Sequence, residues 1–376
     1  MKMTQYLKWK SDSSKGEVFT PIELVCKILD KIPDEVWKNP NVTFLDPCMG
    51  KGTFLLEIVR RLVYIYGYTE DDAKSRVYGY DIRVKYINHL IRRGLKNVRH
   101  KDFLNEIIEM KFDIIVGNPP YQDTTANRKK FNQLGNKKLW KQFLIKSSTL
   151  LKENGVLSFL VPQAVTKSTE FGKPGVAISK MESVKVIQID TNQEKHFKGV
   201  GIQICSITFK KTNEELLTVI NGSEENFNKI GFVTADPRFQ SIALKLLKND
   251  NTVRVTRHSD KKYSNDVLLQ MRGIWSTRFG NADFTTQRDI EQTKELFWES
   301  NNNLALLNLL KSNLFCHLAW VGFVIVDKRW YHNFWCALSL DERITEDTTL
   351  GELMDIYGLT NQEKELINSK DFTNVG

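Results

Sequence analysis

The chain has 376 residues, 41% of them hydrophobic and 26% charged, with a net charge of +9. That length buries a full core and suits two domains, and the composition is that of an ordinary globular protein with a polyanionic partner. No apolar stretch approaches a membrane span, Met1 to Tyr6 carries no signal-like apolar region, and the five cysteines show no Cys-x-x-Cys or Cys/His ligand spacing, so the reading is a cytoplasmic protein without a metal site.

Helical spacing of Ile22, Leu24, Val25, Ile28 and Leu29 predicts a first helix over 22–31, with Thr20-Pro21 as its cap and first-turn proline. Val42 to Asp46 reads as a short buried strand that runs into the turn Pro47-Cys48-Met49-Gly50-Lys51-Gly52-Thr53 and a helix through Leu55 to Leu62. Val77 to Asp81 is a second strand ending in an acid, followed by a helix over 83–93. Val98 to Phe103 forms a third strand and turn, and Phe112 to Val116 a fourth. A helix over 139–152, a strand from Gly155 to Val161, and strands at Val184 to Asp190 and Ile202 to Phe209 complete the series. Strands alternating with helices predict an α/β fold with a Rossmann-like, doubly wound and mainly parallel sheet. Beyond Asn213 the pattern weakens into mixed, shorter elements, which sets a first domain at 1–220 and a smaller C-terminal α/β domain at 221–376.

Charge is unevenly spread. Between Asp123 and Glu153 stand eight Lys/Arg and no acid (Arg128, Lys129, Lys130, Lys137, Lys138, Lys141, Lys146 and Lys152). From Trp335 onward nine Asp/Glu face three Lys/Arg. The basic run is either a solvated helix face or a path for a phosphate backbone.

It begins just past the most informative feature, Asn118-Pro119-Pro120-Tyr121, which follows the fourth strand. An Asx-Pro turn closing a strand would explain Asn-Pro alone. The full tetrapeptide makes a cup for a flat, amino-bearing molecule. The Asn118 oxygen accepts one N–H, a carbonyl held by the rigid Pro119-Pro120 accepts another, and Tyr121 offers a ring face. Upstream, Asp46 to Phe54 is a glycine-bearing turn at the carboxyl end of the first strand, where doubly wound folds bind nucleotide-like ligands. It is neither GxGxxG nor GxxxxGK[ST]. Asp46 suits a positively charged ligand, Asp81 a ribose, and Asp102-Phe103 an adenine amino group and ring.

Asp46-Pro47-Cys48-Met49-Gly50-Lys51-Gly52-Thr53-Phe54 together with Asn118-Pro119-Pro120-Tyr121 resembles the S-adenosylmethionine-dependent N6-adenine DNA methyltransferases. Gly16-Glu17-Val18-Phe19-Thr20-Pro21, ahead of the glycine turn, looks like the N-terminal cofactor motif of the γ-class order. The resemblance covers about residues 15–210 and implies a class I methyltransferase fold with S-adenosyl-L-methionine as cofactor. It implies that Phe19, Thr20, Asp46, Cys48, Gly50, Asp81, Ile82, Asp102, Phe103 and Asn118 line the cofactor site, with Thr20 at the methionine carboxylate and Asp46 at its ammonium. Asn118, Pro119, Pro120 and Tyr121 would be catalytic, and Tyr121 and Phe197 would stack on a flipped adenine. Double-stranded DNA would be held by Arg128, Lys129, Lys130, Lys137 and Lys138, and by Arg272 and Arg278 of the second domain, with Arg254, Arg257, Lys261 and Lys262 as further candidates. The chain is expected to act as a monomer, with a cognate restriction endonuclease as a separate partner and no nuclease domain of its own. RNA amino groups and a protein glutamine amide fit the same cup and remain alternatives.

Overall fold

The computed structural model describes residues 19–121, 138–166, 175–197, 201–230, 237–247, 253–257, 267–271, 282–286, 296–300, 302–315 and 338–369. It divides into two units, residues 1–165 with 177–228 and residues 166–176 with 229–376.

The buried apolar runs of the first unit pair into one sheet. Its strands are β1 (Phe44–Asp46), β2 (Val77–Asp81), β3 (Val98–His100), β4 (Phe112–Gly117), β5 (Leu151–Pro162), β6 (Val184–Asp190), β7 (Ile204–Lys211), β8 (Thr218–Ile220) and β9 (Ser223–Glu225). They lie in the order β3-β2-β1-β4-β5-β7-β6-β8-β9. The first five run parallel, and β7 is antiparallel to both β5 and β6. This is the doubly wound, mainly parallel sheet expected. Its winding reverses between β1 and β4, and such a switch point opens a ligand crevice beyond the carboxyl ends of the strands. The ends of these two strands are Asp46 and Gly117, so the glycine turn and the Asn118 cup flank that crevice.

The helices are α1 (Ile22–Leu29), α2 (Asp34–Lys38), α3 (Thr53–Tyr64), α4 (Glu70–Ser75), α5 (Val84–Ile91) and α6 (Leu139–Thr149). Leu24, Val25, Ile28 and Leu29 of α1 pack with Leu55, Ile58 and Leu62 of α3 and with Phe44, Ile114 and Val116 of the sheet. A core so built places the two ligand-facing turns on a rigid floor.

Three boundaries differ from the sequence reading, each for a local reason. Pro21, not Thr20, is the N-cap of α1, and no side chain caps that helix; the Thr20 hydroxyl is used in the site. The helix predicted over 139–152 stops at Thr149, because Leu151 already pairs with Phe112 and residues 152–155 bulge out before Val156 meets Ile114. Lastly, β8 and β9 form a hairpin through Asn221 (φ 48°) and Gly222 (φ 96°), the two left-handed residues of a type I′ turn. The expected division between residues 220 and 221 passes through this turn, whereas the compact unit runs on to Asn228.

The second unit holds an antiparallel sheet, β10 (Val253–Arg257), β13 (Leu296–Ser300), β11 (Val267–Met271) and β12 (Ala282–Thr286), in that spatial order. Its helices are α7 (Gln240–Leu246), α8 (Asn303–Lys311), α9 (Leu350–Ile356) and α10 (Asn361–Asn368). Ile242, Leu246, Leu306, Leu309, Leu353, Tyr357 and Ile367 share one core. Reciprocal Thr/Glu capping boxes start α9 at Thr349 and Glu352, and α10 at Thr360 and Glu363. Glu363 also accepts from Lys245 Nζ at 2.6 Å and from the Ser241 hydroxyl. Burial pushes its pKa up, but Lys245, Ser241 and Thr360 together hold it down at about 2. Glu363→Gln should therefore cost roughly 1–2 kcal/mol in chemical denaturation. Because the folded value is depressed, that contribution should be present at neutral pH and fade as pH falls from 4.5 towards 2.

Candidate functional site

The glycine turn is shaped by the two acids that end its neighbouring strands. Asp46, 2% exposed, accepts the Cys48 N–H at 3.0 Å. Asp81 accepts the N–H of Gly50 at 2.9 Å through one oxygen and that of Arg83 at 2.8 Å through the other. Gly52 closes the turn at φ 82° and serves as N-cap of α3. On β4, a Cβ at Gly117 would stand 2.9 Å from Asp46 Oδ1 and 3.4 Å from Cys48 Sγ. Glycine is thus required there by the close approach of the acid. Gly117→Ala should displace Asp46 and weaken binding of a cationic ligand at least tenfold while leaving the fold intact, which titration calorimetry and a melting curve can check.

Electrostatics set the ligand's sign. Burial lifts Asp46 to about 7, with the Cys48 N–H opposing and the negative Asp81 adding to the rise. Burial, then Asp46 and Asp81, also raise the Cys48 thiol well above its usual range. Two acids crowded at a dry turn favour a partner bearing positive charge.

Across the crevice the Asn118 side-chain amide donates to Thr20 Oγ1 at 3.3 Å. Its nitrogen is thereby directed to Thr20, which leaves the amide oxygen as the acceptor. Phe19, one residue earlier, lies under Lys51 Nζ at 4.7 Å and meets the Tyr86 ring edge-on at 6.2 Å. Lys51, tested in the sequence only as part of a phosphate cradle, thus belongs to the wall of the site. Pro119 is buried and Pro120 exposed. Tyr121 and Phe197 are both half-buried against the same core cluster. Among the described residues the buried Tyr121 hydroxyl has no hydrogen-bond partner, nor has His196 Nε2 beside Phe197. Buried groups left so are costly unless a ligand or water satisfies them.

Other predicted residues fall elsewhere. Ile82 presents an exposed apolar side chain next to Asp81, as a wall for a ring requires. Asp102 caps a turn, accepting from the Leu104 N–H at 3.0 Å and from Asn105 Nδ2 at 2.7 Å. Phe103 is a correction. It is 1% exposed, stacked on Phe143 at 5.4 Å with Lys146 Nζ over its ring at 5.0 Å, so it offers no open face and supports the crevice from the core.

The basic run also needs correcting. Lys146 donates to the carbonyls of Phe103, Leu104 and Glu106, and Lys152 pairs with Asp113 at 2.7 Å. Neither is free for a phosphate. Lys138 is exposed ahead of α6. Arg128, Lys129, Lys130, Lys137, Lys261, Lys262, Arg272 and Arg278 lie outside the described residues, as do the side chains of Arg254 and Arg257. Among the described residues no group of three or more His, Cys, Asp or Glu could hold a metal ion, and no helix is long and apolar enough to cross a membrane.

Residues 50–197, from the glycine turn to Phe197, match the Eco57I restriction-modification methylase family. The chain is thus similar, over that segment, to methylases of the restriction–modification type. It is 26% identical over 228 residues to the Type II methyltransferase M.VspI of Vibrio sp. (strain 343), covering 57% of this chain and 53% of that one. It is 27% identical over 327 residues to the Type II methyltransferase M.HindII of Haemophilus influenzae, covering 80% and 58%. The chain therefore spans about half the length of the curated relatives it matches. Among solved structures, the M protein of the Type I restriction enzyme EcoKI aligns with a TM-score of 0.40 at 17% identity, over 53% of this chain and 45% of that one.

The family match implies S-adenosylmethionine as cofactor, and the site suits it. The acids at the glycine turn favour a positively charged ligand, and the space beyond Gly50, where an added Cβ would meet nothing within 4 Å, lets a ligand approach the backbone.

Proposed function

We propose that this protein transfers a methyl group from S-adenosylmethionine to the exocyclic N6 of an adenine flipped out of double-stranded DNA, at a specific sequence. The observation that carries this reading is the Asn118–Thr20 hydrogen bond. It turns the amide oxygen into an acceptor beside the cofactor turn, which is what an attacking NH₂ group needs.

When bound, the cofactor supplies an electrophilic methyl on a positively charged sulfur. The protein supplies position. Asn118 Oδ1 and the Pro119 carbonyl accept the two N–H bonds of the amino group, drawing its nitrogen towards a tetrahedral, nucleophilic form. Tyr121 and Phe197 hold the ring by stacking and recover part of the few kcal/mol spent on flipping. Asp46 and Asp81 fix the donor, and the proton displaced from the amino nitrogen passes to solvent. Alignment supplies much of the acceleration. The second unit, with its own antiparallel sheet, would choose the sequence.

The test is to express the chain in a host free of DNA methylation and sequence its DNA at base resolution. Methylated adenines in one fixed sequence context are expected. Unmodified DNA alongside methyl transfer to RNA, or to a glutamine amide in protein, would replace this reading with one of those substrates.

A further inference from the structure

The residues just before α1 pass over the crevice. Phe19 meets Tyr86, in the first turn of α5 beyond β2, and stands beneath the ammonium of Lys51, in the turn beyond β1. Thr20, the next residue, accepts from Asn118, beyond β4, at 3.3 Å. Phe19-Thr20 therefore spans the carboxyl ends of β2, β1 and β4, which are neighbours in the sheet. The Lys51 ammonium lies where this crossing meets the glycine turn, 4.7 Å from the centre of the Phe19 ring. Lys51 itself stands between Gly50, whose N–H goes to Asp81, and Gly52, the N-cap of α3. It is half-buried, and burial holds its pKa below the usual lysine range. A cation in such a setting gains from an anion placed beside it.

S-adenosylmethionine carries a sulfonium, an ammonium and a carboxylate. Asp46 and Asp81 attract the two cations and repel the carboxylate, which therefore needs a partner of its own. We propose that the Lys51 ammonium, located by the Phe19 ring, is the counter-ion of the cofactor's carboxylate. The inference rests on S-adenosylmethionine as the cofactor. It gives the site two opposite poles, acids at the strand ends and a lysine within the turn, and so fixes the direction of an amino-acid group that acids alone would leave free to reverse. A competing explanation is that Lys51 only clasps Phe19 through a cation–π contact. An apolar side chain would pack on that ring as well, without the cost of taking an ammonium out of water.

Calorimetric titration of the wild type and of Lys51→Gln would compare S-adenosylmethionine, S-adenosylhomocysteine and decarboxylated S-adenosylmethionine, which lacks the carboxylate. The variant should bind the first two about tenfold more weakly and the third within about twofold of wild type, the loss expected for one charge-assisted hydrogen bond at a half-buried site. Lys51→Arg, which keeps the charge, should recover most of that loss. Each variant is judged by the ratio between ligands on the same protein, so a general loss of stability does not imitate the result. Equal weakening of all three ligands would overturn the proposal and make Lys51 a clasp for Phe19. Unchanged affinity for all three would overturn it too, and weaker binding of duplex DNA alongside would make Lys51 a phosphate contact. A wild type that binds none of the three would instead refute S-adenosylmethionine as the cofactor.

Discussion

Asn118→Ala is expected to lower methyl transfer about a thousandfold while changing cofactor affinity less than about threefold. The magnitude follows from what an oriented hydrogen-bonding group is worth when it acts on charge that develops in the transition state, about 10²–10³ in kcat, with the remainder from lost alignment of the amino group. The cofactor should be nearly indifferent because the proposed site holds its ammonium at Asp46 and its ribose at Asp81, whose positions are set by the N–H groups of Cys48, Gly50 and Arg83. Asn118→Asp is the sharper variant. A carboxylate keeps an acceptor for the amino group but has no N–H for Thr20, so the bond at 3.3 Å survives only in reverse, with the Thr20 hydroxyl donating and one carboxylate oxygen diverted to it. It should retain more activity than alanine and less than a tenth of wild type. Thr20→Val, which removes the hydroxyl instead, should resemble it in kcat and, if Thr20 also meets the methionine carboxylate as the family resemblance implies, raise the cofactor KM. Parallel loss of cofactor affinity and activity in Asn118→Ala would show that the residue holds the donor and not the base.

The first unit was legible because its chemistry sits where strands end. A buried strand reads as an apolar run, and its last residue must break that run, so Asp46, Asp81 and Asn118 announce themselves against Val, Ile and Phe. What the run does not reveal is how a polar side chain is used once neighbours arrive. Thr20 before Pro21 reads as a helix cap, yet its hydroxyl belongs to Asn118. Lys146 and Lys152 belong to a basic run that reads as a solvated face or a phosphate path, yet the folded chain supplies them with three carbonyls and a carboxylate. Phe103 reads as a cover for a ring, yet Phe143 and Lys146 already cover it. Some signals were present and local. Asn221-Gly222 is a hairpin turn by composition, and Thr-x-x-Glu at 349–352 and 360–363 marks two helix starts. The short apolar stretches around them, split by polar residues, hid their periodicity.

Raising the pH from 6 to 8 should strengthen cofactor binding, with Asp46 as the titrating group. Its usual value of 3.8 is lifted to about 7, mainly by burial. A lift of that size corresponds to roughly 4 kcal/mol between the protonated and ionised forms in the folded state. Since the folded value exceeds the unfolded one, the native state holds the proton longer than the unfolded chain does. The stability this provides is complete below about 4 and is lost as pH rises through about 7. The ligand-free protein should therefore melt progressively lower between pH 5 and 8. A bound cation reverses the preference, because a positive charge beside the carboxylate stabilises its ionised form and pulls the pKa down. Binding at pH 6 must then expel close to one proton, and binding at pH 8 almost none. Calorimetry in buffers of different ionisation enthalpy measures that number directly. Asp46→Asn removes the titration, so its melting temperature should be flatter with pH and its proton release near zero, even though its affinity is lower. An unchanged proton release in Asp46→Asn would assign the titration to another group, such as the amine of the cofactor itself, and would leave Asp46 with a purely structural part in holding the turn.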